Sequence, residues 1–169
     1  DPARADVQLV AIGAYQLEEA LKAHRRLVAR GRRACVAVIL EPGRLRIPRD
    51  DLEEAFVLGE HALRELFPAG LPRVLLSHTR PEPMLGVLRR LDDGPARTRA
   101  LGYISRGGTL DVPGMLFANR CTWAHTVDAA AAVAAWERGE LLSPKELAAI
   151  DGRGDSHDLR APGPEAAEP

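Results

Sequence analysis

The fold follows from one stretch near the start of the chain, Val7-Gln8-Leu9-Val10-Ala11-Ile12-Gly13. The apolar run is short and ends at a glycine, which is typical of a buried strand. Residues 16–30 then carry apolar side chains at helical spacing, and Gly31 provides a natural end to that helix. A second apolar run over residues 34–40 predicts another strand, so the chain begins as strand, helix, strand.

The same alternation continues along the chain. We predict a helix from Leu52 to Leu66, with Asp50 or Asp51 as its N-cap, because an acceptor side chain there satisfies free helix amides. Further elements are predicted as a strand over residues 73–77, a short helix over 83–91, a strand over 97–104 and an alanine-rich helix over 126–138 that stops at Gly139. Strands that alternate with helices predict an α/β fold of three layers, a mostly parallel sheet with helices on both faces.

The composition is that of a globular domain with a hydrophobic core. The chain has 169 residues, of which 46% are hydrophobic and 28% are charged, and its formal net charge is −1. This length suits one domain, and this charge gives no reason to expect nucleic acid or a membrane as a partner. We see no signal peptide and no apolar stretch of the roughly 20 residues that a membrane helix needs. A cytoplasmic location is therefore expected.

We divide the chain into a linker (residues 1–6), an α/β domain (7–150) and a flexible tail (151–169). The tail contains Asp151-Gly152-Arg153-Gly154-Asp155 and few apolar residues, a composition that does not build a core. Because the chain starts with Asp1-Pro2-Ala3-Arg4 and not with methionine, we expect it to be part of a longer polypeptide.

Basic residues and cysteines give little indication of function. The arginines between Lys22 and Arg33 are expected to lie mostly on one solvated face of the first helix, whose last turn favours cations. Aromatic residues are not interleaved with them, which argues against a nucleic-acid surface. Two cysteines do not make a disulfide framework, and Cys35 lies in an apolar run where it is expected to be buried.

Histidines are the first candidates for chemistry. His24 is expected to pack on the apolar side of the first helix, and His61 is expected on the surface. His78 ends the strand over residues 73–77, and parallel sheets bind ligands at the carboxyl ends of their strands. The alternative for His78 is a hydrogen bond to a neighbouring loop. The first strand-to-helix turn, Gly13-Ala14-Tyr15, lacks the three-glycine pattern of dinucleotide-binding folds.

The segment from Gly102 to His125 concentrates the remaining candidates. Arg106 precedes Gly107-Gly108, so backbone amides and a guanidinium could bind an anion there, or Arg106 could be an ordinary loop residue. Cys121 and His125 are four residues apart and could act as a nucleophile pair only if the pKa of the thiol were lowered.

Two groups of residues carry a resemblance to a known enzyme family. The first consists of His78 and Pro81, and the second of Gly102, Tyr103, Gly107, Thr109, Met115, Asn119 and His125. Together with the order of strands and helices over residues 6–138, they resemble the C-terminal domain of the thiamine-diphosphate enzymes of the transketolase group, and phosphoketolase most closely. The family pattern at the first group is His-Gly-Tyr-Pro, from which Thr79 and Arg80 depart. Asp111-Val112-Pro113-Gly114 replaces the family's Thr-Pro-Phe-Asp.

The resemblance implies a role within a larger enzyme. In this family thiamine diphosphate and Mg²⁺ are bound by the N-terminal and middle domains, which are absent here, and no Gly-Asp-Gly of a thiamine-diphosphate signature occurs in the chain. The family's C-terminal domain packs against those domains and contributes to dimer assembly. The chain is therefore expected to be a non-catalytic assembly domain or subunit of an enzyme that acts on sugar phosphates or related ketoses. It would be inactive alone, with no catalytic residue or metal ligand of its own.

The residues expected to bind a ligand or to face another domain are His78, Tyr103, Arg106, Asn119 and His125. An alternative is a free-standing regulatory module that binds a small anion at the strand ends through His78, Tyr103 and Arg106. A third hypothesis is a small hydrolase or redox enzyme that uses Cys121 and His125. The sequence leaves open the donor sugar, the acceptor and whether the catalytic domains are covalently attached.

Overall fold

A computed structural model describes residues 1–104 and 110–159. Its strands are β1 (Val7–Ile12), β2 (Ala34–Val38), β3 (Arg73–Ser77) and β4 (Thr98–Leu101). Its α-helices are α1 (Ala14–Ala29), α2 (Asp51–Glu54), α3 (Glu60–Leu66), α4 (Pro81–Val87), α5 (Val112–Ala118), α6 (Trp123–Ala134), α7 (Arg138–Leu141) and α8 (Pro144–Ile150). Short 3₁₀ helices lie at Pro2–Arg4, Pro42–Leu45, Arg89–Leu91 and Ser156–Leu159.

The strands form one parallel sheet in the order β2-β1-β3-β4. In the register of the two central strands, Leu9 lies beside Val74 and Val10 lies beside Leu75. Every residue of β1 and β3 is buried, and the predicted bounds of both strands agree with the structure because such strands are largely apolar throughout. The predicted α/β fold with a parallel sheet is confirmed.

Helices cover both faces of the sheet, as predicted. On one face Leu9 packs with Leu27 of α1 and with residues of α6 and α8. On the other face Val10 packs with Leu63 of α3 and with residues that follow α4. Because alternate residues of a strand point to opposite faces, β1 contributes to both halves of the core. The result is the predicted three-layer arrangement.

The connections after β1 and β3 leave the sheet on opposite faces. The chain runs from β1 through α1 to β2 at one edge, returns across the second face through α2 and α3 to β3, and continues through α4 to β4. Neighbouring strands whose connections diverge in this way leave a crevice at their carboxyl ends, which is where open parallel sheets bind ligands. The crevice lies here between the ends of β1 and β3.

The single helix predicted from Leu52 to Leu66 is wrong, because the structure has α2 and α3 with a break between them. Leu52 is 79% exposed and Phe56 is 71% exposed, so two of the apolar residues that made the helical pattern do not reach the core. Gly59 begins α3 as its N-cap. The predicted cap of the first segment is confirmed for Asp50, whose side chain accepts from the N–H of Glu53 at 2.9 Å.

The second half of the chain contains more helix than the sequence pattern predicts. Helix α6 ends at Ala134, and its C-cap is Ala135, in a left-handed conformation with φ 55°, and not the predicted Gly139. Helices α5, α7 and α8 were not predicted because each has only four to seven residues, too few to show a clear period. A capping box at Ser143 and Glu146 starts α8.

Arg26 is an exception to the expectation that the basic residues from Lys22 to Arg33 lie mostly on one solvated face. Its guanidinium donates to both carboxylate oxygens of Glu146, at 2.8 and 2.9 Å, and to the carbonyl oxygen of Leu141 at 3.2 Å. It also stacks 4.6 Å from the ring centre of Trp123. Arg26 is 5% exposed. This buried pair therefore joins α1 to α8, 120 residues later in the chain.

Residues 151–159, which belong to the predicted tail, pack against the domain. Leu159 is 3% exposed, and its carbonyl oxygen accepts from Nε1 of Trp123 at 2.9 Å. The remaining residues of that tail, 160–169, lie outside the described part of the chain. Across the described residues, none of the helices is both long enough and apolar enough to cross a membrane.

Candidate functional site

A cavity of about 270 Å³ opens at the carboxyl ends of β1 and β3. It is lined by Tyr15, Gln16, Ser77, His78, Tyr103, Met115, Leu116 and Cys121. These residues come from the start of α1, the end of β3, the exit from β4, and α5 with the turn behind it. The cavity thus occupies the crevice where the connections of the central strands diverge. Two of the predicted site residues, His78 and Tyr103, are brought together there.

His78 lies at this cavity immediately after β3. Its Nδ1 donates to the carbonyl oxygen of Ile12 at 3.0 Å, and its backbone N–H donates to the same oxygen at 3.1 Å. Because a carbonyl oxygen can only accept, this contact assigns a proton to Nδ1. His78 is therefore both hydrogen-bonded to a neighbouring strand end and exposed. The structure thus shows the hydrogen bond that was the alternative for His78, and ligand binding by His78 stays a prediction.

Gly102 and Tyr103 carry the chain away from β4 across the turn that follows β3. The N–H of Tyr103 donates to the carbonyl oxygen of Thr79 at 3.0 Å. A Cβ atom on Gly102 would lie 2.3 Å from that oxygen and 3.0 Å from Cδ of Pro81. Any side chain at this position would force the two turns apart, so the close approach requires glycine. The Gly-Tyr pair is explained by this contact, which brings Tyr103 to the cavity wall.

Asn119 ties the same exit to α5. Its Oδ1 accepts from the N–H of Ile104 at 2.6 Å, and its Nδ2 donates to the carbonyl oxygen of Met115 at 2.9 Å. Asn119 is 5% exposed. Both ends of the amide are engaged within the fold, and Asn119 does not line the cavity. Its role is to position the chain after β4 against α5.

His125 lies in the core, on the first turn of α6. Its Nδ1 lies 2.8 Å from Oγ1 of Thr122, and its ring packs edge-on against Phe117. Burial, with a smaller contribution from the charge of Arg120, lowers the pKa of His125 to about 4. The ring is therefore neutral at pH 7. The structure places His125 in the packing of α6 and away from the cavity.

Cys121 lines the cavity but its thiol is not activated. The thiol donates to the carbonyl oxygen of Asn119 at 3.3 Å, and burial raises the pKa of Cys121 to about 12. A nucleophilic cysteine needs the opposite shift, because the thiolate is the reactive form. His125 is hydrogen-bonded to Thr122 instead of to the thiol. These contacts contradict the hypothesis of a hydrolase or redox enzyme built on Cys121 and His125.

Arg106 lies outside the described residues, as do Gly107 and Thr109. Within residues 1–104 and 110–159, no group of three or more His, Cys, Asp or Glu side chains has an arrangement that could hold a metal ion.

Gln16 is the cavity residue that the sequence did not single out. It is 5% exposed, and its Oε1 is buried without a hydrogen-bond partner in the described structure. Gln16 lies in the first turn of α1, just after β1 and Gly13. The rule that predicted His78 applies to Gln16 as well, because Gln16 follows the first central strand as His78 follows the second.

A smaller cavity of about 130 Å³ adjoins the first one. Its charged residues are Glu18, Glu19 and Lys22, and Nζ of Lys22 lies 2.9 Å from the first carboxylate and 2.7 Å from the second. Glu19 also accepts from the N–H of Trp123 at 2.6 Å. The two carboxylates share the one ammonium group, so the charged side chains of this cavity are engaged with one another.

No family model matches the chain, and no curated protein matches it at a significant level.

Proposed function

We propose that this chain is a non-catalytic assembly domain of a thiamine-diphosphate-dependent enzyme of the transketolase group, closest to phosphoketolase. The enzyme would act on sugar phosphates or related ketoses in the cytoplasm. Thiamine diphosphate and Mg²⁺ would be bound by N-terminal and middle domains, on the same polypeptide or on a separate subunit, in a dimeric assembly. This chain would contribute packing surface and no catalytic group.

The observation that supports this proposal is the arrangement of the residues that carry the resemblance. Gly102 and Tyr103 contact the turn that contains Thr79, and Asn119 links the exit of β4 to Met115. These residues serve backbone contacts at one edge of the sheet. Motif residues that shape turns suit an assembly domain. Catalytic residues would instead have side-chain groups that are free to contact a substrate.

An exposed apolar surface beside β2 supports docking to other domains. We call it the β2-side surface, and it consists of Val38, Leu40, Phe56 and Leu66. Leu40 is 88% exposed. Members of this surface line two adjoining clefts, which share Glu41 and Arg44, next to an outermost strand of the sheet. Large apolar side chains grouped in this way are typical of a surface that another domain covers.

The proposal is tested by purifying the chain from its own cells under native conditions and determining the composition and mass of what it binds. We expect a dimeric complex that contains a thiamine-diphosphate-binding polypeptide. With thiamine diphosphate, Mg²⁺ and a ketose phosphate, the complex should turn over and the isolated chain should not. A complex whose turnover is undiminished after this chain is deleted would exclude an assembly role.

A pair of substitutions locates the docking surface. Leu40→Asp places a charge on the β2-side surface and should reduce recovery of the partner polypeptide. Val28→Asp makes the same kind of change on α1, where Val28 is 51% exposed, and should leave recovery unchanged. Circular dichroism of both variants establishes that each is folded. Equal recovery with both variants would place the interface elsewhere.

A further inference from the structure

The cavity between β1 and β3 contains polar groups that the proposed assembly role does not use. We propose that it binds a small monocarboxylic acid, with the carboxylate at the N-terminus of α1 and the apolar part of the molecule against α5. This inference is independent of the assembly role, because the cavity and the β2-side surface share no residue.

The N-terminus of α1 supplies the first group of donors. The helix has 16 residues, and its N-cap is Gly13, which has no side chain to accept from the first amides. Leu17 is the first residue of the helix whose N–H finds an acceptor, the carbonyl oxygen of Gly13 at 3.0 Å. The N–H groups of Ala14, Tyr15 and Gln16 have no acceptor among the described residues. Unsatisfied amides at the positive end of a helix dipole favour an anion.

The side chain of Gln16 is an independent indication of a ligand. It is 5% exposed and lines the cavity, yet its Oε1 has no partner in the described structure. A buried amide without a partner is unfavourable, and a bound molecule would satisfy it. Because no partner fixes which end of the amide faces the cavity, its nitrogen can turn to donate to a carboxylate. With the amide turned in this way, its nitrogen and the free helix N–H groups would all donate to one carboxylate.

Gly13 keeps the backbone close to this amide. Its φ of +115° is one that residues with a side chain rarely adopt, and a Cβ atom there would lie 2.5 Å from Oε1 of Gln16 and 3.2 Å from Nδ1 of His78. A side chain at this position would thus displace the two polar groups that face each other across the strand ends.

The walls of the cavity select the class of ligand. Met115 and Leu116 offer apolar surface, and Tyr15 and Tyr103 add ring faces with a hydroxyl at the tip. No lysine or arginine side chain of the described residues lines it, so one negative charge can be balanced by helix amides, whereas a doubly charged phosphate would lack a permanent counter-charge. A volume of about 270 Å³ admits only a small molecule. These features together favour a small aliphatic or aromatic acid.

The test is an amide-detected NMR titration of the full chain with isobutyrate and with its neutral analogue isobutyramide. We expect isobutyrate to shift the backbone amide signals of residues 14–16, and isobutyramide to bind at least about tenfold more weakly because it does not complete the charge-assisted hydrogen bonds. Inorganic phosphate is the third probe and should not compete. Equal affinity for acid and amide, or tighter binding of phosphate at the same amides, would overturn the proposal.

Substitution of Gln16 gives the second measurement. Gln16→Leu removes the amide without breaking any hydrogen bond that the described structure contains, so the variant should fold, and it should bind isobutyrate about tenfold more weakly. Leu21→Ala, at an exposed position further along α1, should keep the parent affinity. Unchanged affinity in Gln16→Leu, or an absence of any shift at residues 14–16, would refute the site while leaving the assembly role untouched.

Discussion

Replacement of His125 by glutamine should remove a large part of the acid sensitivity of this fold. The native ring is neutral because burial lowers the pKa of His125 to about 4, whereas a histidine in the unfolded chain has a pKa of about 6.5. The unfolded state therefore binds a proton first, so the stability that His125 contributes is complete above pH 6.5 and is lost as the pH falls toward 4. For these two pKa values the loss between pH 8 and pH 5 is about 2 kcal/mol, and it reaches about 3 kcal/mol at pH 4.

Urea unfolding at pH 8 and pH 5 measures this difference, because unfolding free energy varies linearly with urea concentration. Carboxylates with a lowered native pKa, such as Glu146 and Asp151, also lose stabilisation in acid. The difference between the parent chain and His125→Gln measures the contribution of the histidine ring to the loss of stability in acid. Glutamine can still share a hydrogen bond with Thr122, but it does not titrate. The control is His61→Gln, which makes the same change on the exposed side of α3. It should lose as much unfolding free energy between pH 8 and pH 5 as the parent chain does. If His125→Gln loses as much stability as the parent, the ring is not held neutral by burial.

Three further substitutions test the contacts that shape the fold. Arg26→Met should cost about 3–5 kcal/mol in urea unfolding because it leaves the carboxylate of Glu146 buried without its partner, and Glu146→Leu added to it should restore most of the loss; a double variant no more stable than the single one would contradict this. Gly102→Ala should destabilise the chain by about 1–3 kcal/mol, since its methyl group would lie 2.3 Å from a backbone oxygen, whereas Gly86→Ala, with open space around it in α4, should be neutral or stabilising. Asn119→Ala should cost about 1–3 kcal/mol and speed hydrogen exchange of the amide that now donates to it, and unchanged exchange would argue that water replaces the contact.

The sheet was predictable because its central strands are buried on both faces. Such strands are apolar at nearly every position, so their bounds can be recognised without knowledge of the rest of the chain. The helices were less predictable, because Leu52 and Phe56 have helical spacing but belong to an exposed surface. Apolar residues at helical spacing indicate a helix when they pack on the core. The same spacing gives a wrong helix prediction when the apolar residues are exposed.

The cavity was predictable in part. The rule for strand ends identified His78, and the same rule applied to the first strand would have identified Gln16. The ion pair of Arg26 and the lowered pKa of His125 were not predictable from the sequence. Each depends on burial or on a partner that the fold brings near. Arg26 pairs with a carboxylate 120 residues away, and no local pattern distinguishes it from the solvated arginines beside it.

The residues that resemble an active site are also the ones that the fold itself requires. Gly102 is needed because a carbonyl oxygen passes within 2.3 Å of where its Cβ atom would lie, and Asn119 is needed because the N–H of Ile104 has its oxygen as acceptor. Loss of activity after substitution of either residue would follow from a disturbed turn as readily as from a lost catalytic group. Substitutions in this segment therefore do not distinguish an enzyme from an assembly domain. Substitutions at surface positions do, because Leu40 lies on the β2-side surface and has no contact in the core to lose.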